Sequence, residues 1–150
     1  MLTTIQRSAL VMHTAEEMFT LVNDIESYPD YMDGCSGAEI LEWGEAYLVA
    51  RLDLRKGGVS YSFATRNELI PHEEIRLQLH SGPLKKLNGV WNFKALTAAA
   101  CKVSLHLEFE ANSQLVGVAA TSLFASVANN LVSALTDQAD RVYGKAHVVR

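Results

Sequence analysis

The chain has 150 residues, 49% of them hydrophobic and 20% charged, with a formal net charge of −4. That size and balance suit one globular domain with a buried core, and they exclude a disordered or fibrous chain. A negative total argues against indiscriminate binding to nucleic-acid phosphates, so no DNA partner is expected.

The charge is unevenly spread. Residues 1–75 carry five Lys and Arg against thirteen Asp and Glu, whereas residues 76–150 carry eight against four. One acidic face and one mildly basic face are expected, rather than a nucleic-acid groove. The two cysteines, Cys35 and Cys101, form no CxxC or Cys/His cluster, which points to a reducing compartment with no disulfide framework and no zinc site. The opening "MLTTIQRSAL" lacks a basic region followed by an apolar run. No signal peptide is predicted, and a cytoplasmic protein is expected, peripheral at most at the inner face of a membrane.

In chain order, 3–12 reads as a first strand. Thr14 and Glu17 form a capping box, and Ala15, Met18, Phe19 and Val22 fall at helical spacing, so a helix is predicted over about 15–23. Pro29, Asp30, Asp33, Gly34 and Gly37 then mark an irregular connection with room for one short helical turn. From Ala38 to Glu110 apolar and polar residues alternate. Leu48, Ala50, Leu52 and Leu54 share one face. So do Tyr61, Phe63, Thr65 and Asn67; Ile75, Leu77 and Leu79; Leu87, Gly89, Trp91 and Phe93; and Val103, Leu105, Leu107 and Phe109. This period of two predicts six strands with one dry face, and the short connections make the sheet antiparallel.

The segment 113–143 reads as one long helix with no proline. Leu115, Ala119, Leu123, Val127, Leu131 and Leu135 follow a four-residue step, thickened by Val116, Ala120, Phe124, Ala128 and Ala134. At that length it would reach about 45 Å, enough to cross the sheet. The run "LVGVAATSLFASVANNLVSAL" is long enough to raise a membrane span, but Thr121, Ser122, Ser126, Asn129, Asn130 and Ser133 interrupt it. The dry face of the sheet needs a cover, and this helix is the element fit to supply it. Large rings on the sheet opposite small residues on the helix would either interdigitate or leave an apolar pocket.

Five segments carry a family resemblance: "YPDYMDGC" (28–35), "TRNEL" (65–69), "SGPLKKLNGVWNF" (81–93), "CKVSLHLEFE" (101–110) and the long C-terminal helix. Together they resemble the coenzyme Q-binding, START-like family, also called polyketide cyclase-like. Within it the chain is most similar to the ribosome association toxin proteins. The resemblance covers nearly the whole chain, 1–150, as a single START-like domain. It implies an α+β helix-grip fold, a curved antiparallel sheet of about seven strands wrapped around the last helix, with a hydrophobic cavity. It further implies ubiquinone or a related polyisoprenoid lipid as bound ligand, in support of respiration or quinone synthesis. Some bacterial members are instead described as binding the large ribosomal subunit and blocking subunit joining, which makes that subunit an alternative partner. Cyclase or dehydratase chemistry is the third implication.

On this basis the cavity lining is expected to include Tyr61, Phe63, Trp91, Phe93, Leu123, Val127 and Leu131, with Asn67 placed to hydrogen-bond a ligand carbonyl. Leu84 and Leu87 would form the cavity mouth, beside Lys85 and Lys86 as membrane or partner contacts; the alternative is that both leucines fold under the sheet as core. Tyr28 and Tyr31 would form the opposite lip. For docking on a ribosomal subunit, Lys85, Lys86, Lys94 and Lys102 are the candidate phosphate contacts.

No catalytic or metal-binding residue is assigned. His13, His72, His80, His106 and His147 show no metal-type spacing. Glu108 and Glu110 share a polar strand face, as solvated side chains do. Neither cysteine has a base nearby in sequence. GxSxG, P-loop and GxGxxG motifs are missing. A binding module without a tightly bound cofactor is therefore expected in preference to an enzyme.

Overall fold

The computed structural model describes residues 2–111 and 118–144. The elements run β1 (Leu2–Val11), α1 (Ala15–Asn23), a 3-10 turn (Ile25–Asp30), then β2 (Cys35–Trp43), β3 (Tyr47–Lys56), β4 (Val59–Ile70), β5 (Glu74–Ser81), β6 (Leu84–Thr97), β7 (Ala100–Ala111) and α2 (Val118–Tyr143). The expected first turns of the long helix, 113–117, fall outside the described residues. So do Leu115, Val116 and His147, and the side chains of Ala119 and Ala120.

The start of α1 forms as the capping box dictates. Thr14 Oγ1 accepts from the Glu17 amide at 3.0 Å, and the Thr14 amide donates to Glu17 Oε1 at 2.9 Å. Two of the four amide donors that every helix start leaves unpaired are thereby satisfied.

The seven strands form one antiparallel sheet in the order β1-β7-β6-β5-β4-β3-β2. Six consecutive strands meander through short connections. The first strand joins beside the last, so α1 and the 3-10 turn must carry the chain from one edge to the other. The sheet's dry side chains bury against α2, where Leu105, Phe109, Leu48, Leu135 and Ala139 are all essentially sealed from solvent. This is the helix-grip architecture. Among the described residues no helix is long and apolar enough to cross a membrane.

Gly89 is where β6 presses closest to its neighbour. It pairs with Leu107 on one side and Leu77 on the other. A Cβ at Gly89 would lie 2.7 Å from the His106 carbonyl oxygen and 2.7 Å from Leu107 Cδ1. Leaving out one side chain there lets the concave face tighten without a clash.

The opening of β6 corrects one expectation. Leu84 and Leu87 lie three residues apart, so a regular strand would point them to opposite faces. The register instead shifts between Leu84, opposite Ala111, and Lys86, opposite Glu110. Lys85 is the extra residue of a β-bulge, and the bulge turns both leucines inward. Leu84 is 5% and Leu87 3% exposed. Neither is the exposed lip of a cavity, and Lys85 lies 3.4 Å from Glu110 rather than free.

Replacing Gly89 with Val is expected to lower the unfolding free energy by about 1–3 kcal/mol, the usual cost of overpacking. The urea midpoint, with the slope unchanged, measures it.

Candidate functional site

Among the described residues, contacts from Asn129, Asp140 and Tyr143 tie one side of α2 to the rest of the fold. His13 Nε2 and Asp140 Oδ1 meet at 2.8 Å. The Tyr143 hydroxyl donates to the Glu17 carbonyl at 3.2 Å, and Arg7 donates to Asn129 Oδ1. These contacts fix α2 against β1 and α1. Toward β3 and β4 the helix rests on apolar packing. Gly34, at φ +89°, brings the loop so close that a Cβ there would stand 2.7 Å from Val127 Cγ2. Phe124 packs its ring against Phe63 at 5.4 Å and against Phe109 at 4.5 Å.

One helical turn past Phe124 the side chain is Ala128, and a gap opens. It is a cavity of about 80 Å³, lined by the sheet, the segment 22–35 and α2. Ala50, Leu52 and Leu54 of β3, Ile75 and Leu77 of β5, Leu87 and Trp91 of β6, and Leu105 and Leu107 of β7 face it from the sheet. Val22, Ile25, Tyr28, Met32 and Cys35 close one side, and Phe124, Val127, Ala128 and Leu131 close the top. Among the described residues, no Asp, Glu, Lys, Arg or His side chain lines it.

The polar groups are few. Phe63, Thr65 and Asn67 face the cavity from alternate positions of β4. Thr65 Oγ1 donates to Asn67 Oδ1 at 2.7 Å. Asn67 is only 5% exposed, and its Nδ2 makes no hydrogen bond among the described residues. Asn67 thus lines the apolar space with its amide oxygen engaged and its Nδ2 outside that bond. The Tyr28 hydroxyl donates to the Val22 carbonyl. Just outside the cavity, the hydroxyls of Tyr31 and Tyr61 are buried without a hydrogen-bond partner among the described residues. Burial holds the Tyr28, Tyr31 and Tyr61 phenols well above the ordinary tyrosine range, so all three are neutral donors.

The cavity brings together Tyr28, Phe63, Asn67, Leu87, Trp91, Val127 and Leu131 from the residues expected in the lining or at its rim. Tyr31, Tyr61, Leu84, Phe93 and Leu123 are elsewhere. Phe93 is turned toward Phe19, 5.6 Å away, and Tyr31 packs its edge on Tyr28. Sequence reasoning missed Phe124, counted there only as helix thickening, and Cys35, which falls there within the irregular connection after α1. The helical step did imply Phe124 on the inner face. Nothing local marked Cys35, whose burial depends on Gly34 docking under α2.

The remaining candidates sit outside. His106 lies 3.6 Å from Glu108 and 40% exposed on the outer face. Among the described residues no group of three or more His, Cys, Asp or Glu side chains is gathered to hold a metal ion.

Both thiols are buried, and burial pushes them up, Cys101 to about 11. In the native protein at pH 8, Cys101 is expected to react with a thiol-specific disulfide reagent about a hundredfold more slowly than in the urea-unfolded chain, because only the thiolate attacks. Release of the chromophore over time measures it. Fast native reaction would contradict the burial described above.

Against known proteins, residues 11–136 match the family described as polyketide cyclase / dehydrase and lipid transport. The ribosome association toxin RatA of Vibrio cholerae is 46% identical over 141 residues, covering 94% of this chain and 98% of that protein. The mitochondrial coenzyme Q-binding protein COQ10 homolog B of Xenopus laevis is 25% identical over 145 residues, covering 94% of this chain and 59% of that protein. The solved Zhui aromatase/cyclase from Streptomyces sp. R1128 superposes with a TM-score of 0.81 at 21% identity, covering 99% of this chain and 100% of that one. That likeness shows the fold.

Proposed function

We propose that this chain, which belongs to the polyketide cyclase/dehydrase and lipid transport family, binds a hydrophobic small molecule in the cavity under α2 without transforming it. The ligand class that fits best is a polyisoprenoid quinone such as ubiquinone, held in support of respiration or quinone synthesis. One observation carries the reading: the described lining of this apolar space holds a single amide, Asn67, whose Oδ1 is taken by Thr65 and whose Nδ2 lies outside that bond. A quinone ring is flat and apolar, and its carbonyl oxygens accept hydrogen bonds without donating. Such a ring would satisfy a donor whose burial otherwise costs about 1–3 kcal/mol. The described lining offers no acid–base pair for a cyclisation or dehydration, which favours binding over chemistry.

A cavity of about 80 Å³ holds a fragment on the scale of a small ring or an isoprene unit, not a whole polyisoprenoid. Entry of more requires α2 to move away from β3 and β4. Phe124 packs apolar rings on that side of the helix, while the ties from Asn129, Asp140 and Tyr143 lie toward β1 and α1. Opening there breaks none of those three ties.

A second reading, association with the large ribosomal subunit, is favoured by the near full-length similarity to a protein named as a ribosome association toxin. Co-sedimentation with purified subunits that weakens steeply with salt would support it, and no co-sedimentation at low salt would remove it.

Organic extraction of the purified protein is expected to release a quinone or related lipid, and the stripped protein is expected to take up added quinone. Ala128→Leu should fill the cavity, keep or raise the melting temperature and abolish uptake. Asn67→Leu should weaken quinone binding about tenfold while sparing an aliphatic lipid of similar size. Extracts free of quinone and lipid, together with no uptake, would refute the reading.

A further inference from the structure

We propose that the end of the sheet carrying Leu10, Lys94 and Lys102 is a docking surface for an anionic lipid bilayer. The three residues stand in one row across three strands, since Leu10 pairs with Lys102 and Lys102 pairs with Lys94. Like charges placed directly opposite on neighbouring strands repel and weaken the sheet. Neither lysine has an ion pair among the described residues, although Lys56 and Lys85 each have a carboxylate within 4 Å. An unrelieved pair of this kind is favourable when an anionic surface lies against it.

On β1 and at the β6–β7 tip the surroundings are apolar, while Glu73 and Glu74 lie on the β5 side. Leu10 is 74%, Met12 54% and Leu96 48% exposed, and the hairpin tip beside them carries exposed Ala98 and Ala99. Leu96 occupies a bulge between Ala95 and Thr97, which lifts it out of the regular pleat at the tip. No Asp or Glu occurs anywhere between Glu74 and Glu108. Cations framed by exposed leucine and methionine are the combination that a membrane interface rewards, attracting the first and burying the second. Bare nucleic-acid phosphates would reward the lysines and leave the apolar side chains in water. Another apolar exposure, Leu41 and Trp43 on β2, lies in a run with Glu39, Glu42 and Glu45, which an anionic bilayer would repel. Charge thus selects which end faces the lipid.

Co-sedimentation with vesicles of phosphatidylcholine, with and without phosphatidylglycerol, tests the surface. The full chain is expected to bind the anionic vesicles, more weakly as salt rises, and to ignore the neutral ones. The double variant Lys94→Gln, Lys102→Gln should bind about thirtyfold more weakly, the effect of two lysines at a charged surface. Leu10→Ser with Leu96→Ser should also weaken binding while keeping the salt dependence. Lys85→Gln with Lys86→Gln should bind as the parent does. Circular dichroism and melting curves of each variant check that the fold is kept, and all variants should still take up quinone from detergent. Equal binding to both vesicle types, no binding at low salt, or an unaffected lysine double variant would overturn the proposal. So would a lysine variant that loses ribosomal subunits while no vesicle binds, which would assign the row to RNA. Vesicle binding without quinone uptake would remove the cavity reading and leave this surface standing.

Discussion

A strongly bent sheet has a concave face too large to leave wet, and here α2 supplies the main cover. The rest of the fold follows from that constraint. Its 26 residues reach about 39 Å, enough to lie across all seven strands. A straight helix cannot follow a curved surface along its whole length. Where Phe124 stands opposite Phe63 and Phe109 the rings meet and the interior is solid. Where Ala128 stands opposite β3, β4 and β6 the surfaces part, and that mismatch is the cavity.

The same interior explains which chemistry the site can offer. Every described charged side chain is kept off the lining, as the cost of burying an unpaired charge demands. What remains is the neutral Asn67 amide, with the Tyr31 and Tyr61 hydroxyls buried and without a partner among the described residues. A polar group without a partner in an apolar interior is expensive, and a native chain that keeps one commonly meets that need with something outside itself. The proposed ligand is the simplest such partner, because it brings acceptors and little else that is polar.

Outside, the two halves of the sequence become two surfaces. The acidic first half supplies Glu39, Glu42 and Glu45 around β2 at one edge, and the basic second half supplies Lys94 and Lys102 toward the other. A molecule charged in this way meets an anionic partner in a preferred orientation. The relatives named for ribosome association and for coenzyme Q binding share one fold with this chain, and a fold alone does not choose between such roles. The distinction rests on the cavity lining and on the exposed row, where the side chains differ in what they can bind.

Local rules were enough to read much of this from the chain. The Thr14–Glu17 capping box set the start of α1, period-two alternation marked the strands, and a proline-free apolar repeat marked the last helix. The presence of aromatic residues on the dry face was equally legible. The inward turn of Leu84 was not, because a bulge is decided by the register with β7, and register is a property of two strands together. Tertiary packing alone separated Trp91, which faces the cavity, from Phe93, which shares its strand face but is claimed by Phe19 of α1. It alone set the lysines opposite each other, although they lie eight positions apart along the chain. Sequence periodicity specifies which face a side chain takes; what it meets there depends on curvature, register and the placing of a helix that only the folded whole supplies.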